Sequence, residues 1–505
     1  MLMTEFELKL EIPDARREEV VAAFGKARSQ RLRARYFDTA DGHLARAGIV
    51  VRVRKEGSHW VQTGKAAGDS ALRRLEHNVA LPLVPASEAP AVDLSRHDHT
   101  PLGGRIRKAL GLRSRDRNSD EHGDGFPPLV AVFETNVLRR TRIAKSGDSV
   151  VEIALDQGVV LAGERHLPLY ELEFELKDGR PEDAVRLART WCVRHGLFLS
   201  SISKSQKGKR LAAQAGNTAT VPPRATKAKP AQFPRDSAGP AVLAAVVHAC
   251  LEQILPNASD VASGSDDAEV IHQLRVGIRR LRTALRELDG LADGIDPQWE
   301  KPWVKVFRAL GEHRDSGFLA HTLQPQLEAV GGPALPVLAD AKPADPVAAV
   351  RSAAFQGAMM DLLAFAHGTP ASANDVEPKA LVRARLQKLW RQLLKDGRGY
   401  TSLDEEAQHR VRKRLKRLRY VGELAVPLFA SGKVEHFLAE LKDAQDALGQ
   451  YNDELMALQH YSMLSTSDPR AWFGVGWLGA RRAANAAACQ QDLIALAKTK
   501  PYWKK

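Results

Sequence analysis

Three cysteines in 505 residues, Cys192, Cys250 and Cys489, stand far apart without paired spacing, so neither a disulfide framework nor a cysteine-based zinc site is encoded. Ahead of the first charged strand there is no apolar signal region, and no uninterrupted apolar run approaches membrane-spanning length. These absences lead to the expectation of a cytoplasmic protein with no membrane partner. Acid is also in deficit: 61 Asp and Glu against 74 Lys and Arg give a formal charge of +13. Anionic partners are therefore favoured, with nucleic acid, polyphosphate and acidic membrane surfaces as the classes that charge alone leaves open. The remaining composition, 44% apolar and 27% charged, is ordinary for a soluble globular chain long enough for two to four domains.

What is present begins at residues 4–10, where Glu5, Glu7 and Lys9 alternate with Phe6, Leu8 and Leu10. Strict alternation predicts a strand with all three charges on one face. A single strand of this kind is usually an edge with a wet face, but the pattern returns. Glu171, Glu173, Glu175 and Lys177 alternate with Tyr170, Leu172, Phe174 and Leu176, and Arg52 and Arg54 with Val51 and Val53. Thr63 with Lys65, Arg74 with Glu76, Arg140 with Arg142, and Glu152 with Asp156 each share a face in the same way. So dense a mixture of signs predicts strands converging on one space, as a closed antiparallel barrel would provide. Its apolar outer faces would be covered by amphipathic helices at residues 14–26, 102–112 and 181–195. Cations in such a tunnel can hold a phosphate chain, whereas the carboxylates would repel it unless they carried Mg²⁺ or Mn²⁺.

The Glu5, Glu7, Lys9 triplet has the form ExExK, and with the later segments in matching order residues 3–210 resemble the CYTH family, the triphosphate tunnel metalloenzymes. Tyr36, Phe37 and Asp38 match a further family segment, and Lys204 between Ser203 and Ser205 resembles its closing element; Gly64 departs from the apolar residue usual there. The resemblance implies metal-dependent triphosphate hydrolysis in the tunnel, with Glu5, Glu7, Lys9, Glu171 and Glu173 as the catalytic group. Metal would be held by Glu5, Glu7, Glu171, Glu173 and Glu175, helped by Glu152 and Asp156, and phosphate by Lys9, Arg52, Arg54, Lys65, Arg74, Arg140, Arg142 and Lys204. Lys207 and Lys209 read as surface charges, and His97, His99 and His122 as solvated loop histidines.

Residues 214–239 are rich in proline, alanine, threonine and lysine with no apolar period, which predicts a flexible linker. The expected organisation is a tunnel domain over 1–212, able to fold and act alone, a linker over 213–239, and an all-α domain over 240–505. Within the last lies a repeat: His272, Arg275, Arg279 and Arg282 are answered by His409, Arg412, Lys416 and Arg419. Leu310, Gly311, Arg314 and Asp315 are answered in turn by Leu448, Gly449, Asn452 and Asp453. At about 100° per residue each quartet forms a basic stripe beside an apolar arc, extended by Arg280, Lys413 and Arg417. A solvated face would mix both signs, whereas these stripes contain almost no acid, so a bound polyanion is indicated. Only Tyr420 is an aromatic among them, which disfavours nucleic acid. This half resembles the CHAD family, whose members look like two pseudo-symmetric helical bundles and are associated with polyphosphate.

The fold class is thus α+β, a helix-covered antiparallel barrel tunnel followed by two pseudo-repeated helical bundles. Together the two resemblances imply an inorganic triphosphatase converting tripolyphosphate to diphosphate and phosphate, with a domain that binds long-chain polyphosphate and an association with polyphosphate granules. The alternatives are a non-catalytic polyphosphate-binding protein, or a CYTH enzyme acting on thiamine triphosphate or ATP.

Overall fold

The computed structural model describes residues 3–67, 73–82, 90–112, 125–215, 225–335, 345–368, 371 and 376–504. Its contacts divide the chain into two compact units: Met1–Thr226 with Leu255–Ser265 and Val350–Ala364, and Lys227–Ile254 with Asp266–Ala349 and Phe365–Lys505.

The first unit is built on strands β1 (Met3–Glu11), β2 (Arg28–Asp38), β3 (Ile49–Glu56), β4 (His59–Ala67), β5 (Arg73–Leu81), β6 (Val130–Ser146), β7 (Ser149–Ala162), β8 (Arg165–Asp178) and β9 (Phe198–Leu199). All pair antiparallel in the order β5-β4-β3-β2-β6-β7-β8-β1-β9, and β1 additionally pairs β5, Met3–Phe6 running against Arg73–Glu76. The hydrogen-bonded path therefore leaves β1 at β8 and returns to it at β5. Gly57 and Gly147, with φ of 65° and 57°, supply the left-handed backbone that the β3–β4 and β6–β7 hairpins need.

Alternation sorts the two faces as the sequence predicts. Leu8, Leu10, Ile153, Leu155, Leu172 and Phe174 point outward and are fully buried, while their charged neighbours face inward. Helices α1 (Arg17–Phe24), α2 (His43–Arg46), α3 (Pro101–Ala109), α4 (Pro181–His195) and α5 (Lys204–Gln214) surround the sheet. α4 covers β1, β6, β7 and β8, and α2 and α3 join Ile49, Val51 and Ala66 through Leu44, Leu102 and Ile106. The space that an apolar residue would fill at Gly64 is taken by Leu102, whose Cδ2 would lie 2.5 Å from an added Cβ. α5 packs Leu211 and Ala212 onto Tyr36, Phe133 and Val137, an approach that Gly208 permits because a Cβ there would meet the Phe133 ring at 2.1 Å.

The remaining helices are α6 (Gly239–Ala262), α7 (Ala268–Glu287), α8 (Glu300–Phe318), α9 (Gln324–Ala329), α10 (Pro346–Arg351), α11 (Ala353–His367), α12 (Pro378–Gly397), α13 (Glu405–Leu424), α14 (Ser431–Glu440), α15 (Lys442–Leu464) and α16 (Trp472–Leu496). The sequence repeat is a structural one: α7 packs on α8, α13 on α15, and α7 on α13. Leu274, Ile278 and Leu281 of α7 and Val411, Leu415 and Leu418 of α13 form the buried arcs. Each repeat helix opens on an aspartate cap, Asp267 accepting from Val270 N–H and Asp404 from Ala407 N–H, five residues ahead of His272 and His409. α6 is long and apolar enough by composition to cross a membrane, but 72% of its apolar window is buried inside the protein, as in a core helix. Residues 225–238, within the stretch read as a linker, contain neither helix nor strand.

Candidate functional site

A cavity of about 280 Å³ lies inside the first unit and receives side chains from every strand of β1 through β8. That is near the lower end of small-molecule sites, roughly 300–1,000 Å³, but its lining is ionic rather than apolar. Register aligns the charges in rows. Glu11, Glu171, Asp156 and Arg139 stand side by side on β1, β8, β7 and β6. Two residues along the strands, Lys9 faces Glu173, and beyond them Glu7, Glu175 and Glu152 stand side by side on β1, β8 and β7.

Lys204, the first residue of α5, holds the first two rows together. Ser203 caps the helix and Gln206 completes the reciprocal capping box, which fixes the direction in which Lys204 leaves the backbone. Its ammonium meets Asp156 Oδ2 at 2.7 Å, Glu173 Oε1 at 2.5 Å, and Glu171. Arg139 forks onto Asp156 at 2.8 and 2.6 Å and also reaches Glu173. Lys207 bonds Glu11 Oε1 at 2.6 Å and Glu171 Oε2 at 3.0 Å, and Lys9 approaches Glu171 at 3.9 Å. Burial alone would raise the Glu171 carboxyl, but Lys204, Lys207 and Lys9 outweigh it and hold it at about 2. Glu173 is held well below the usual carboxylate range, burial being overcome chiefly by Lys204 and Arg139. Burial opposes charge on Lys204 too, yet Asp156, Glu171 and Glu173 push it well above an ordinary lysine. Lys9 moves the other way, lowered by burial, with Lys207 and Lys204 adding to that effect.

Of the predicted tunnel residues, Glu7, Lys9, Arg52, Arg54, Lys65, Glu152, Asp156, Glu173, Glu175 and Lys204 line the cavity. Glu171 is fully buried behind it, against Lys204. The side chains of Glu5 and Arg74 lie outside the described residues, although the backbone pairs these two positions across β1 and β5. Arg140 and Arg142 are corrected: both guanidinium groups lie over the Phe24 ring on the helix-covered outer face, at 5.6 and 5.0 Å, and Arg142 also over Trp191 at 5.1 Å. The inward arginine of that strand is Arg139, which the alternation of Arg140 with Arg142 had hidden. Lys207 is likewise no surface charge. Tyr36, stacked on Phe133 at 4.3 Å, also lines the cavity, its hydroxyl 3.5 Å from Arg52 Nη1. Asp38 serves the backbone instead, accepting from the N–H groups of Thr39, Leu44 and Ala45.

The donor set fits a hard divalent cation. Asp156, Glu171 and Glu173 bring carboxylate oxygens within 4.8 Å of one another, and Lys204, Arg139 and Lys207 already pair with them. Glu7, Glu175 and Glu152 form a second acidic row, in which like charges stand directly opposite on neighbouring strands and repel. Lys177 lies at its edge, 2.6 Å from Glu175 and 3.7 Å from Glu152.

In the second unit the stripes are matched by acids, some from neighbouring helices and one, Glu423, from α13 itself. Arg282 and Arg286 reach Glu300 at 2.6 Å, Arg412 approaches Asp453 at 3.8 Å, Arg417 approaches Glu287 at 3.8 Å, and Arg419 meets Glu423 at 2.5 Å. Arg280 is corrected from surface to core: it is 1% exposed, bonded to Gln253 at 2.9 Å, with Glu423 at 3.8 Å. Arg275, Arg279 and Arg282 lie over the Phe307 ring at 5.0, 5.3 and 5.8 Å. His409 Nδ1 pairs with Asn452 at 2.8 Å, joining the two halves of the second repeat. Lys413 is exposed and Lys416 and His272 half-buried. A cavity of about 620 Å³ beside α7 and α8 is lined by Arg282, Arg286, Lys301, Lys305 and Arg308 with Glu300 among them.

Residues 3–208 match the CYTH domain and residues 245–462 the CHAD domain. An inorganic triphosphatase of Haemophilus influenzae is 28% identical over 176 residues, which is 34% of this chain and 44% of that relative, so the match spans under half of the relative's length. Among solved structures, the CHAD domain of the plant Ricinus communis aligns over 55% of this chain and 98% of its own, with 27% identity and a TM-score of 0.48. An adenylyl-cyclase-like protein from Hippeastrum, described as having a dominant triphosphatase activity, aligns over 39% of this chain and 90% of its own, with 18% identity and a TM-score of 0.26.

Proposed function

We propose, from the premise that residues 3–208 are a CYTH domain and residues 245–462 a CHAD domain, that the chain is a divalent-metal-dependent triphosphatase. It would cleave inorganic tripolyphosphate to diphosphate and phosphate and hold longer polyphosphate on its helical unit. The observation that carries the reading is one ionic cavity in which every long strand contributes and cations face carboxylates across about 280 Å³.

Phosphoryl transfer needs positioning and charge neutralisation more than covalent help. Lys9, Arg52, Arg54, Lys65 and Arg139 line the cavity from four strands and would grip the phosphate oxygens from several sides. Glu7, Glu175 and Glu152 would hold Mg²⁺ or Mn²⁺, and such an ion would supply positive charge against the phosphates and a lowered pKa for water. Glu171, at about 2, and Glu173 are too acidic to accept a proton readily, so their work is to fix Lys204 in its charged form. The carboxylate that receives the proton from water would then belong to the Glu7, Glu175, Glu152 row. In the second unit, the cavity beside α7 and α8 with its five cations is the favoured polyphosphate contact. A cytoplasmic setting beside polyphosphate granules goes with this pairing of functions.

Phosphorus NMR of the full chain with tripolyphosphate, ATP and thiamine triphosphate, each with and without Mg²⁺ or Mn²⁺, tests the reading. Equal appearance of diphosphate and phosphate from tripolyphosphate, ahead of the other two substrates, is expected. Turnover of none of them would leave a binding protein.

A further inference from the structure

The segment that delivers Lys204 is held from two sides. Ser200, Ser201 and Ser203 line the cavity just ahead of Lys204. On one side β9 pairs with β1, Leu199 opposite Leu10, and Ser200 N–H donates to Lys9 C=O at 2.9 Å. On the other side the partners belong to the same compact unit but come from the second half of the sequence. Leu199 N–H donates to Gln356 Oε1 at 2.8 Å, 157 residues away, and Ser201 N–H donates to Ser259 Oγ at 2.9 Å, 58 residues away.

Both acceptors are 0% exposed and are anchored in turn. The Ser259 hydroxyl donates to Leu255 C=O at 2.7 Å, and the Gln356 amide donates to Val350 C=O at 2.8 Å. Arg351 joins their two segments, its Nε donating to Ala262 C=O at 2.7 Å while its guanidinium lies 4.7 Å over the Phe198 ring. Asp260 takes Arg210, farther along α5, at 2.5 Å. If these segments served only to cover the sheet, apolar side chains would suffice. Two buried polar side chains whose groups are directed at backbone amides set a register instead, because a buried amide left without its acceptor is costly.

We infer that Ser259 and Gln356 are positioning residues for the reaction: by fixing Leu199 and Ser201 they hold the Lys204 ammonium among Asp156, Glu171 and Glu173. The inference rests on the triphosphatase reading, but the geometry it describes can be tested without turnover. It also assigns part of the tunnel domain to residues beyond the stretch read as a linker, so residues 1–212 alone lack two of the supports of the Lys204 segment.

The test uses the full chain with Ser259→Ala, Gln356→Met and the hydroxyl-retaining Ser259→Thr. Peptide-resolved hydrogen exchange is expected to quicken about tenfold over residues 199–205 in the first two variants and to stay unchanged in the strands. Tripolyphosphate turnover should show kcat lower by about tenfold with KM within about twofold, and Ser259→Thr should restore both readouts. Unchanged exchange over 199–205 would overturn the positioning, and faster exchange with unchanged kcat would overturn its link to catalysis. Faster local exchange in a chain whose wild type has no turnover would count against the triphosphatase reading while supporting the positioning.

Discussion

Arg139 and Arg142 lie three residues apart on β6 and face opposite ways, one bonded to Asp156 and Glu173, the other over Phe24 and Trp191. Arg139→Gln is therefore expected to lower kcat/KM for tripolyphosphate by about 100-fold, since it strips a charge-assisted fork from the acid cluster. Arg142→Gln should leave kcat/KM within about twofold and lower Tm, because it loses stacking on two rings and a bond to the Phe24 carbonyl, all on the outer face. Steady-state kinetics and thermal unfolding of the two variants decide between these placements, and a kinetic loss confined to Arg142→Gln would restore the inward reading of that residue. The same pair shows what the sequence could and could not convey. Where apolar residues alternate cleanly, as around Glu171 and Glu173, the inward set is legible, because a one-residue slip would turn leucine and phenylalanine into the cavity. Around residues 139–142, Arg-Arg-Thr-Arg offers arginine in both phases, so the face is decided by pairing with Asp156 on the neighbouring strand, which is not local information.

At the scale of elements, the loop from Asp93 to His97 and helix α3 are fastened to the sheet by a polar chain that the sequence reading treated as solvated histidine. Gln62 forms two bonds with the Asp93 backbone, donating to its C=O at 2.7 Å and accepting from its N–H at 3.0 Å, which fixes the amide orientation. Its Nε2 then donates to His97 Nε2 at 3.0 Å, so His97 carries its proton on Nδ1 and donates to His77 Nδ1 at 3.0 Å. His97 is fully buried and, chiefly through burial and then His77, held down to about 4. A histidine with a depressed folded value binds its proton more readily when unfolded, so its contribution to stability is lost as pH falls from about 6.5 towards 4, by up to roughly 3 kcal/mol. Urea unfolding at pH 7 and pH 4.5 should show this loss, and His97→Asn should shrink the difference; an equal difference in the variant would remove His97 as its source. A second element-scale prediction concerns α5: Gly208→Val would drive Cβ into Phe133 and should cost about 1–3 kcal/mol by chemical denaturation. No destabilisation there would contradict the close seating of α5 on β6.

Over the whole molecule, the alternation of β1 and β8 and the helical periodicity after residue 240 made the two kinds of architecture readable, as did the repeat joining α7 with α13. The unit boundary was not readable, because Leu255–Ser265 continues helix α6 and Val350–Ala364 is largely helical like its surroundings, and both belong to the first unit only through contacts remote in sequence. For the second unit, replacing Arg286, Lys301, Lys305 and Arg308 with Gln is expected to weaken long-chain polyphosphate binding by about tenfold or more at low salt and to flatten its salt dependence. Tripolyphosphate turnover should be unaffected, and titrations at two salt concentrations beside duplex DNA of matched charge would reveal whether the loss is specific. The most direct test of the central claim is phosphate release from tripolyphosphate by the full chain during Mg²⁺ and Mn²⁺ titrations, in wild type and in Glu7→Gln with Glu175→Gln. The account predicts turnover that requires added metal and falls by at least about 100-fold in the double variant at limiting metal, with the fold retained. Turnover without metal, or equal turnover in the double variant, would contradict it.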